Sequence, residues 1–140
     1  MNAEYFLDTN VLVYAFSTQD EAKQSRATQL LTEGVGGKGA ISWQVVQEFL
    51  SLATSRNKVA ANAGELQGFL LRALVPMCVV WPSPALWQES LNMQRVTQYR
   101  FYDSMIVAAA LESGAAYLYS EDLQHGRKLG DLEIRNPFRS

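Results

Sequence analysis

The apolar positions of this chain fall into short runs separated by polar, glycine or proline segments. Tyr5-Phe6-Leu7 is the first run, stopped by Asp8-Thr9-Asn10, and Val11 to Phe16 restarts an apolar pattern ahead of the polar stretch Ser17 to Gln24. This order predicts a buried strand, a turn and a helix. A helix is next predicted over Ala22 to Glu33, broken by Gly34, Gly36, Gly37 and Gly39, with Ala40-Ile41-Ser42 as a strand that ends at a helix N-cap. Ser42 opens a helix over Trp43 to Ser55. The helical pattern returns from Val59 to Leu74 despite Gly64 and Gly68, and Pro76 punctuates it before the strand candidate Cys78-Val79-Val80-Trp81. After the rigid Pro82-Ser83-Pro84 loop, Pro84 suits the first turn of a helix through Leu86, Leu91 and Met93. A further helix starts near Tyr102-Asp103 and stops at Gly114. Ala116 to Tyr119 follows as a strand, and Leu132-Glu133-Ile134 as a short edge strand ended by Asn136-Pro137.

Strands alternating with helices imply right-handed crossovers and a parallel sheet covered on both faces. The expected fold class is therefore α/β, a three-layer α/β/α sandwich around a central, mostly parallel sheet of about four or five strands. A length of 140 residues with 48% hydrophobic side chains suits one domain over residues 1–140 with a substantial core. In such folds ligands gather beyond the carboxyl ends of the strands. Asp8 and Asp122 stand at such positions.

Bulk composition narrows the chemistry only a little. A net charge of −2 and a pI near 5.4 lack the strong positive field that by itself marks a nucleic-acid binder. Met1-Asn2-Ala3-Glu4 carries no basic leader region, and no apolar stretch approaches the roughly 18 residues that span a bilayer, so a cytoplasmic location is expected. The single cysteine, Cys78, excludes an internal disulfide and a cysteine-based zinc site, and reads as a small buried hydrophobe. Gly34 to Ala40 invites a phosphate-loop reading but lacks the Ser or Thr that must follow Gly-Lys, so it is an inter-element turn. The only histidine, His125, excludes a two-histidine acid–base mechanism within one chain and is expected in an exposed loop.

The acidic residues carry more information. Helical projection places Asp103 close to the middle of the stripe Ile106, Val107, Ala110 and Leu111, on a helix apolar nearly all round, where an ionised carboxylate is costly unless compensated. The same projection puts Glu48 at the border of the stripe Val45, Val46, Phe49, Leu52 and Ala53. Each acid alone also reads plainly, Asp103 as a helix-start residue, Glu48 as a solvated flank, Asp8 and Asp122 as turn or N-cap aspartates. Together, a parallel sheet could bring all four to one edge. Two unit charges about 4 Å apart repel by roughly 4 kcal/mol at an effective dielectric near 20, so such a cluster must protonate or bind cations. Oxygen ligands without His or Cys select Mg2+ or Mn2+ over zinc.

Asp8-Thr9-Asn10 after the first strand, Glu48 in the second helical region, Tyr102-Asp103-Ser104-Met105-Ile106 heading an Ala-rich helix, and Ser120-Glu121-Asp122-Leu123 after the next strand resemble the ordered motifs of PIN-domain nucleases. The short chain is most similar to VapC-type toxins of bacterial toxin–antitoxin pairs. The resemblance implies metal coordination by Asp8, Glu48, Asp103 and Asp122, with Asn10 and Ser120 in support and Thr9 capping the following helix. Glu121, where similar proteins often carry a basic or aromatic residue, leaves open whether it joins the metal shell. The implied activity is hydrolysis of RNA phosphodiesters by one or two metal ions that activate a water, leaving 5′-phosphate and 3′-hydroxyl ends. The implied partners are an RNA substrate, a small antitoxin protein and a second copy in a homodimer. Arg56, Lys58, Arg95, Arg100, Arg127 and Lys128 are candidate phosphate contacts, whereas Trp43, Trp81 and Trp87 read as core or dimer-interface residues. Two rival readings remain: a catalytically silent PIN-like module that binds RNA or protein, and an aspartyl-phosphate phosphatase or receiver domain. The second wants an aspartate where Asn10 stands and a lysine after a later strand, which is not found.

Overall fold

The computed structural model describes residues 2–55 and 62–139. Its elements run β1 (Tyr5–Leu7), α1 (Thr9–Tyr14), α2 (Glu21–Glu33), β2 (Gly39–Ser42), α3 (Trp43–Ala53), α4 (Ala63–Phe69), α5 (Val75–Met77), β3 (Cys78–Val80), α6 (Pro84–Thr97), α7 (Phe101–Ser113), β4 (Tyr117–Tyr119), β5 (Lys128–Leu129) and β6 (Leu132–Arg135). The strands form a six-stranded sheet in the order β3-β2-β1-β4-β6-β5. All pairings are parallel except the β5–β6 hairpin.

This order follows from crossover handedness. From β1 to β2 to β3 the chain steps in one direction, which puts α1 to α5 on one face. From β3 it returns past β2 and β1 to β4, so α6 and α7 cover the opposite face. Helix α7 accordingly packs on β1, β2, β3 and β4. Its residues Ser104 to Ala110 are all buried, because the small side chains of Ala108, Ala109 and Ala110 let it sit close on the sheet while α6 covers its outer side. Phe6, Leu7, Ala40, Ile41, Leu118 and Ile134 are fully enclosed between the layers. On the other face Phe16, Phe49 and Phe69 cluster with ring centroids 4.9 to 5.6 Å apart, Phe16 and Phe69 edge to face and the other two pairs tilted, and tie α3 and α4 to the segment after α1.

Several expectations are corrected. The sheet has six strands rather than four or five, and β6 is not an edge strand but lies between β4 and β5. The extra strand is only two residues, Lys128–Leu129, too short for an alternating pattern to reveal it. It forms because Gly130, in the left-handed region at φ 61°, turns the chain back within two residues. Helix α1 begins directly at Thr9, without an intervening turn. The glycines after α2 do not end the helical path at once but carry it through one wide turn, Gly34–Lys38, in which Gly37 takes φ 117°. Of the helix expected over Val59 to Leu74, residues 59–61 lie outside the described residues. The remainder starts at Asn62, whose side chain and that of Glu65 form a reciprocal capping box, and ends in a second wide turn, Leu70–Leu74. Trp43 packs against the core, whereas Trp81 and Trp87 stand exposed. No helix among the described residues is long and apolar enough to cross a membrane.

Candidate active site

Strand β1 lies between β2 and β4, and the chain leaves the β1 end toward one face and reaches β4 from the other, so a crevice opens at the carboxyl ends of this pair. Asp8 follows β1 there and is the N-cap of α1. One carboxylate oxygen accepts from the Thr9 backbone N–H at 2.7 Å, and the other from the Ser120 hydroxyl at 2.8 Å. The Asn10 amide nitrogen reaches the second oxygen at 3.5 Å and donates to Asp122 Oδ2 at 3.1 Å. The Asn10 carbonyl oxygen in turn accepts from the Glu121 backbone N–H at 3.2 Å, and Ser120 Oγ from the Asp122 N–H at 3.3 Å. Asn10 and Ser120 thus lace the ends of β1 and β4 together and set Asp122 beside Asp8.

Glu48 enters from α3. Its Oε1 accepts from the hydroxyl of the buried Thr9 at 3.3 Å. Contrary to the expectation from the sequence, Thr9 does not cap α1. Asp8 does, which frees the Thr9 hydroxyl to bridge β1 and α3. Gln44, one turn before Glu48 and 5% exposed, donates to the Tyr102 carbonyl at 3.2 Å and so pins α3 to the first turn of α7.

Asp103 is placed otherwise than its helical projection indicates. Instead of lying in the buried stripe, it is exposed, because the first turn of α7 overhangs the sheet edge and burial begins only at Ser104. Its charge still acts on the crevice. Burial pushes the Asp8 carboxyl up to about 6, against the opposing hydrogen bonds from Ser120 and Thr9, and the charges of Glu48 and Asp103 push in the same direction. Glu48 is exposed overall, yet its carboxyl is likewise raised, first by desolvation and then by Asp103, with the Gln44 and Thr9 side chains opposing. Asp122 lies exposed on the rim, held by Asn10. Asp8 and Asp122 meet through Asn10, and the charges of Glu48 and Asp103 reach Asp8. Among the described residues no three His, Cys, Asp or Glu side chains are gathered in a metal-holding arrangement.

Glu121 is turned away from this edge. The Tyr14 hydroxyl donates to one of its oxygens at 2.6 Å and Lys23 Nζ to the other at 2.5 Å. Burial alone would raise its carboxyl, but these two partners and the Lys23 charge hold it below the usual range. With both oxygens engaged, it faces Lys23 rather than Asp122. Nothing in the sequence pattern pairs Glu121 with Lys23 and Tyr14, or Glu48 with Thr9, since these contacts join residues far apart in the chain.

Two of the cations expected to hold phosphate are engaged within the protein. Arg127 caps the end of α6 through the Val96 and Thr97 carbonyls, both at 3.2 Å, and Arg95 donates to Asn92. Arg100 is the N-cap position of α7, and Arg56 and Lys58 lie outside the described residues. The exposed His125 accepts the Asn136 backbone N–H on Nδ1 at 2.9 Å, in the loop expected for it.

The family model described as PIN domain matches residues 5–128. The chain belongs to the PIN-domain family. No curated protein matches the sequence significantly. Among solved structures, this PIN domain is similar to a chain of a toxin–antitoxin complex from Klebsiella pneumoniae, with TM-score 0.69, 19% identity and coverage of 95% of this chain and 97% of that one. It is also similar to FitAcB from Neisseria gonorrhoeae, with TM-score 0.66, 18% identity and coverage of 97% and 99%. A third is Mycobacterium tuberculosis VapC20, described as a sarcin–ricin loop cleaving toxin, with TM-score 0.61, 18% identity and coverage of 84% and 89%. The mostly parallel α/β/α sandwich is the PIN fold, as the motifs imply.

Proposed function

We propose that this PIN-domain protein is a metal-dependent endoribonuclease acting as the toxin of a toxin–antitoxin pair, one nuclease domain spanning residues 1–140 and working in the cytoplasm. The observation that carries the reading is the Asp8 carboxyl, desolvated at the sheet's switch point, laced to Asp122 through Asn10 and pushed up to about 6 with Glu48 and Asp103 adding their charge. A carboxylate so placed calls for a compensating cation. The donor set fits Mg2+ or Mn2+, since it consists of carboxylate oxygens with no sulfur and no imidazole. Asp8, Glu48, Asp103 and Asp122 would hold the ion. The chemistry supplied there is activation of a water and neutralisation of charge developing on the phosphate.

The chain's own residues prepare that site. Ser120 and the Thr9 N–H orient the Asp8 carboxylate, Asn10 holds the Asp8–Asp122 spacing, and Thr9 and Gln44 set Glu48 relative to the first turn of α7. Loss of such supporting contacts typically lowers metal affinity or activity about 10- to 100-fold. Glu121 serves as an anchor to Lys23 rather than as a ligand. The toxin role draws support from the toxin–antitoxin complexes of similar fold, and it brings a small antitoxin as partner. A homodimer is favoured by large apolar side chains left in water, Trp81 and Leu91 at 59% exposure and Trp87 at 48%.

The test is cleavage of total RNA by purified protein in Mg2+ or Mn2+ and its loss in EDTA, in Asp8→Asn and in Asp103→Asn. Failure of the free protein to cut any cellular RNA overturns the ribonuclease reading and leaves binding alone. Growth arrest on expression, relieved by a co-expressed small partner protein, tests the toxin role; harmless expression of an active enzyme refutes it.

A further inference from the structure

A second polar cavity, of about 430 Å³, lies on the α2 side of β4 and β6 and is lined by Arg26, Tyr119, His125, Glu133, Arg135 and Arg139, with Asn136 and Pro137 between them. We propose that it is an RNA-binding subsite that takes the backbone phosphates of the strand flanking the scissile bond. The proposal rests on the ribonuclease reading of the neighbouring carboxylates.

Charge is the first argument. Three arginines against one glutamate leave this cavity cationic on a chain of net charge −2. Glu133 Oε2 accepts from Arg135 Nε at 2.5 Å, and this pair leaves Arg26 and Arg139 as the surplus positive charge of the cavity. Arg26 is held in place by its Nε–H bond to the Pro137 carbonyl at 3.2 Å and lies over the Tyr119 ring at 5.9 Å. Among the described residues, the terminal nitrogens of Arg135 and the whole guanidinium of Arg139 make no hydrogen bond within the protein. The backbone bond from Asn136 to His125 Nδ1 assigns the imidazole proton to Nε2, which adds a further donor. Arg135 at the end of β6 and the neighbouring Arg139 thus offer unused guanidinium donors, which suit phosphate oxygens.

Position is the second argument. Leu7, Tyr119 and Arg135 are register partners across β1, β4 and β6, so Arg135 ends its strand two strand spacings, about 10 Å, from the strand end that bears Asp8, on the same edge of the sheet. The two places are joined by contacts. Asn10 holds Glu121 through its backbone, Glu121 holds Tyr14 and Lys23, and the Tyr14 ring meets Phe138 at 4.9 Å beside Arg139. An acidic centre that must accept a polyanion needs cationic purchase at its side, and this cavity supplies it.

The test uses a fluorescent single-stranded 20-mer oligoribonucleotide bound to the full chain in EDTA at several salt concentrations. Each lost phosphate contact on single-stranded RNA shallows the slope of log K against log salt by about 0.7, which is about fivefold in affinity at 0.1 M salt. The double variant Arg135→Gln with Arg139→Gln should therefore shallow the slope by about 1.4 and weaken binding about 25-fold at 0.1 M. Double Arg→Lys replacement should restore most of both, and circular dichroism should show both variants folded. With Mg2+ present, KM should rise more than kcat falls. Unchanged affinity and slope in the glutamine variant overturn the subsite, as does loss of binding to a polyglutamate probe with RNA binding intact, which would make the cavity a protein-docking site. Salt-dependent RNA binding lost in the variant, with no cleavage by the native protein, upholds the subsite and overturns the ribonuclease reading instead.

Discussion

Replacing Asp8 by Asn should abolish cleavage yet make the metal-free protein more stable. The Asp8 carboxyl rises from 3.8 to about 6 on folding, chiefly through burial. A shift of about two units at 1.36 kcal/mol each corresponds to about 3 kcal/mol of penalty for carrying the charge in the folded state. The sign follows from proton counting. Between about pH 4 and 6 the folded state binds more protons than the unfolded one, so wild-type stability falls as pH rises through that window. Above about 6 the full penalty applies, and below about 4 it is absent. Asn keeps an acceptor for the Thr9 N–H and removes the charge, and the Ser120 hydroxyl can turn to accept from the new amide. Water at the open crevice screens part of the penalty, so the expected gain at pH 8 is about 1 to 3 kcal/mol, or about 3 to 10 °C in Tm for a chain of this size. Urea titrations in EDTA at pH 4, 6 and 8 read it directly. Adding Mg2+ should reverse the order, since an ion at one hundred times its Kd stabilises the native wild type by about 2.7 kcal/mol and the variant by much less. Lower stability of Asp8→Asn in EDTA at pH 8, or a difference that does not change between pH 4 and 8, would refute the electrostatic account of the site.

Asn10→Ala should uncouple Asp8 from Asp122 and lower metal affinity or cleavage about 10- to 100-fold with the fold intact, as measured by Mn2+ titration and RNA cleavage. Lys23→Met should let the Glu121 carboxyl titrate at higher pH, seen by NMR of the side-chain carbons, because the bond and charge that hold it low are removed. Phe49→Ala, which empties the centre of the Phe16–Phe49–Phe69 cluster, should cost about 3 to 5 kcal/mol in urea unfolding. Gly114→Ala should cost about 1 to 2 kcal/mol, because Gly114 ends α7 at φ 77°, a conformation that resists a Cβ, and the added methyl would meet the Asn2 side chain.

Much of this protein is written locally. Tyr5-Phe6-Leu7, Ala40-Ile41-Ser42 and Ala116 to Tyr119 are read as strands because a strand buried on both faces is a continuous apolar run, and the helices between them are read from a repeat near 3.6 residues and from end signals such as the Ser42 cap and Pro84 in a first turn. Alternation of the two element types, with crossover handedness, then dictates a sandwich and sends attention to the strand ends at Asp8 and Asp122. What depends on distance in the chain was not legible. Strand β5 exists only because β6 is there to pair with it, and the edge position of β6 passes to β5 for the same reason. Helical projection placed Asp103 in the core because an isolated helix carries no record of where its sheet stops. The bonds of Thr9 to Glu48, Lys23 to Glu121 and Arg26 to the Pro137 carbonyl, like the gathering of Arg26, Arg135 and Arg139 around one cavity, join segments that only folding brings together. The sequence by itself determined which acids could matter; their order of burial, and therefore which of them carries the strained charge, was decided by how the first turn of α7 and the end of β1 sit against water.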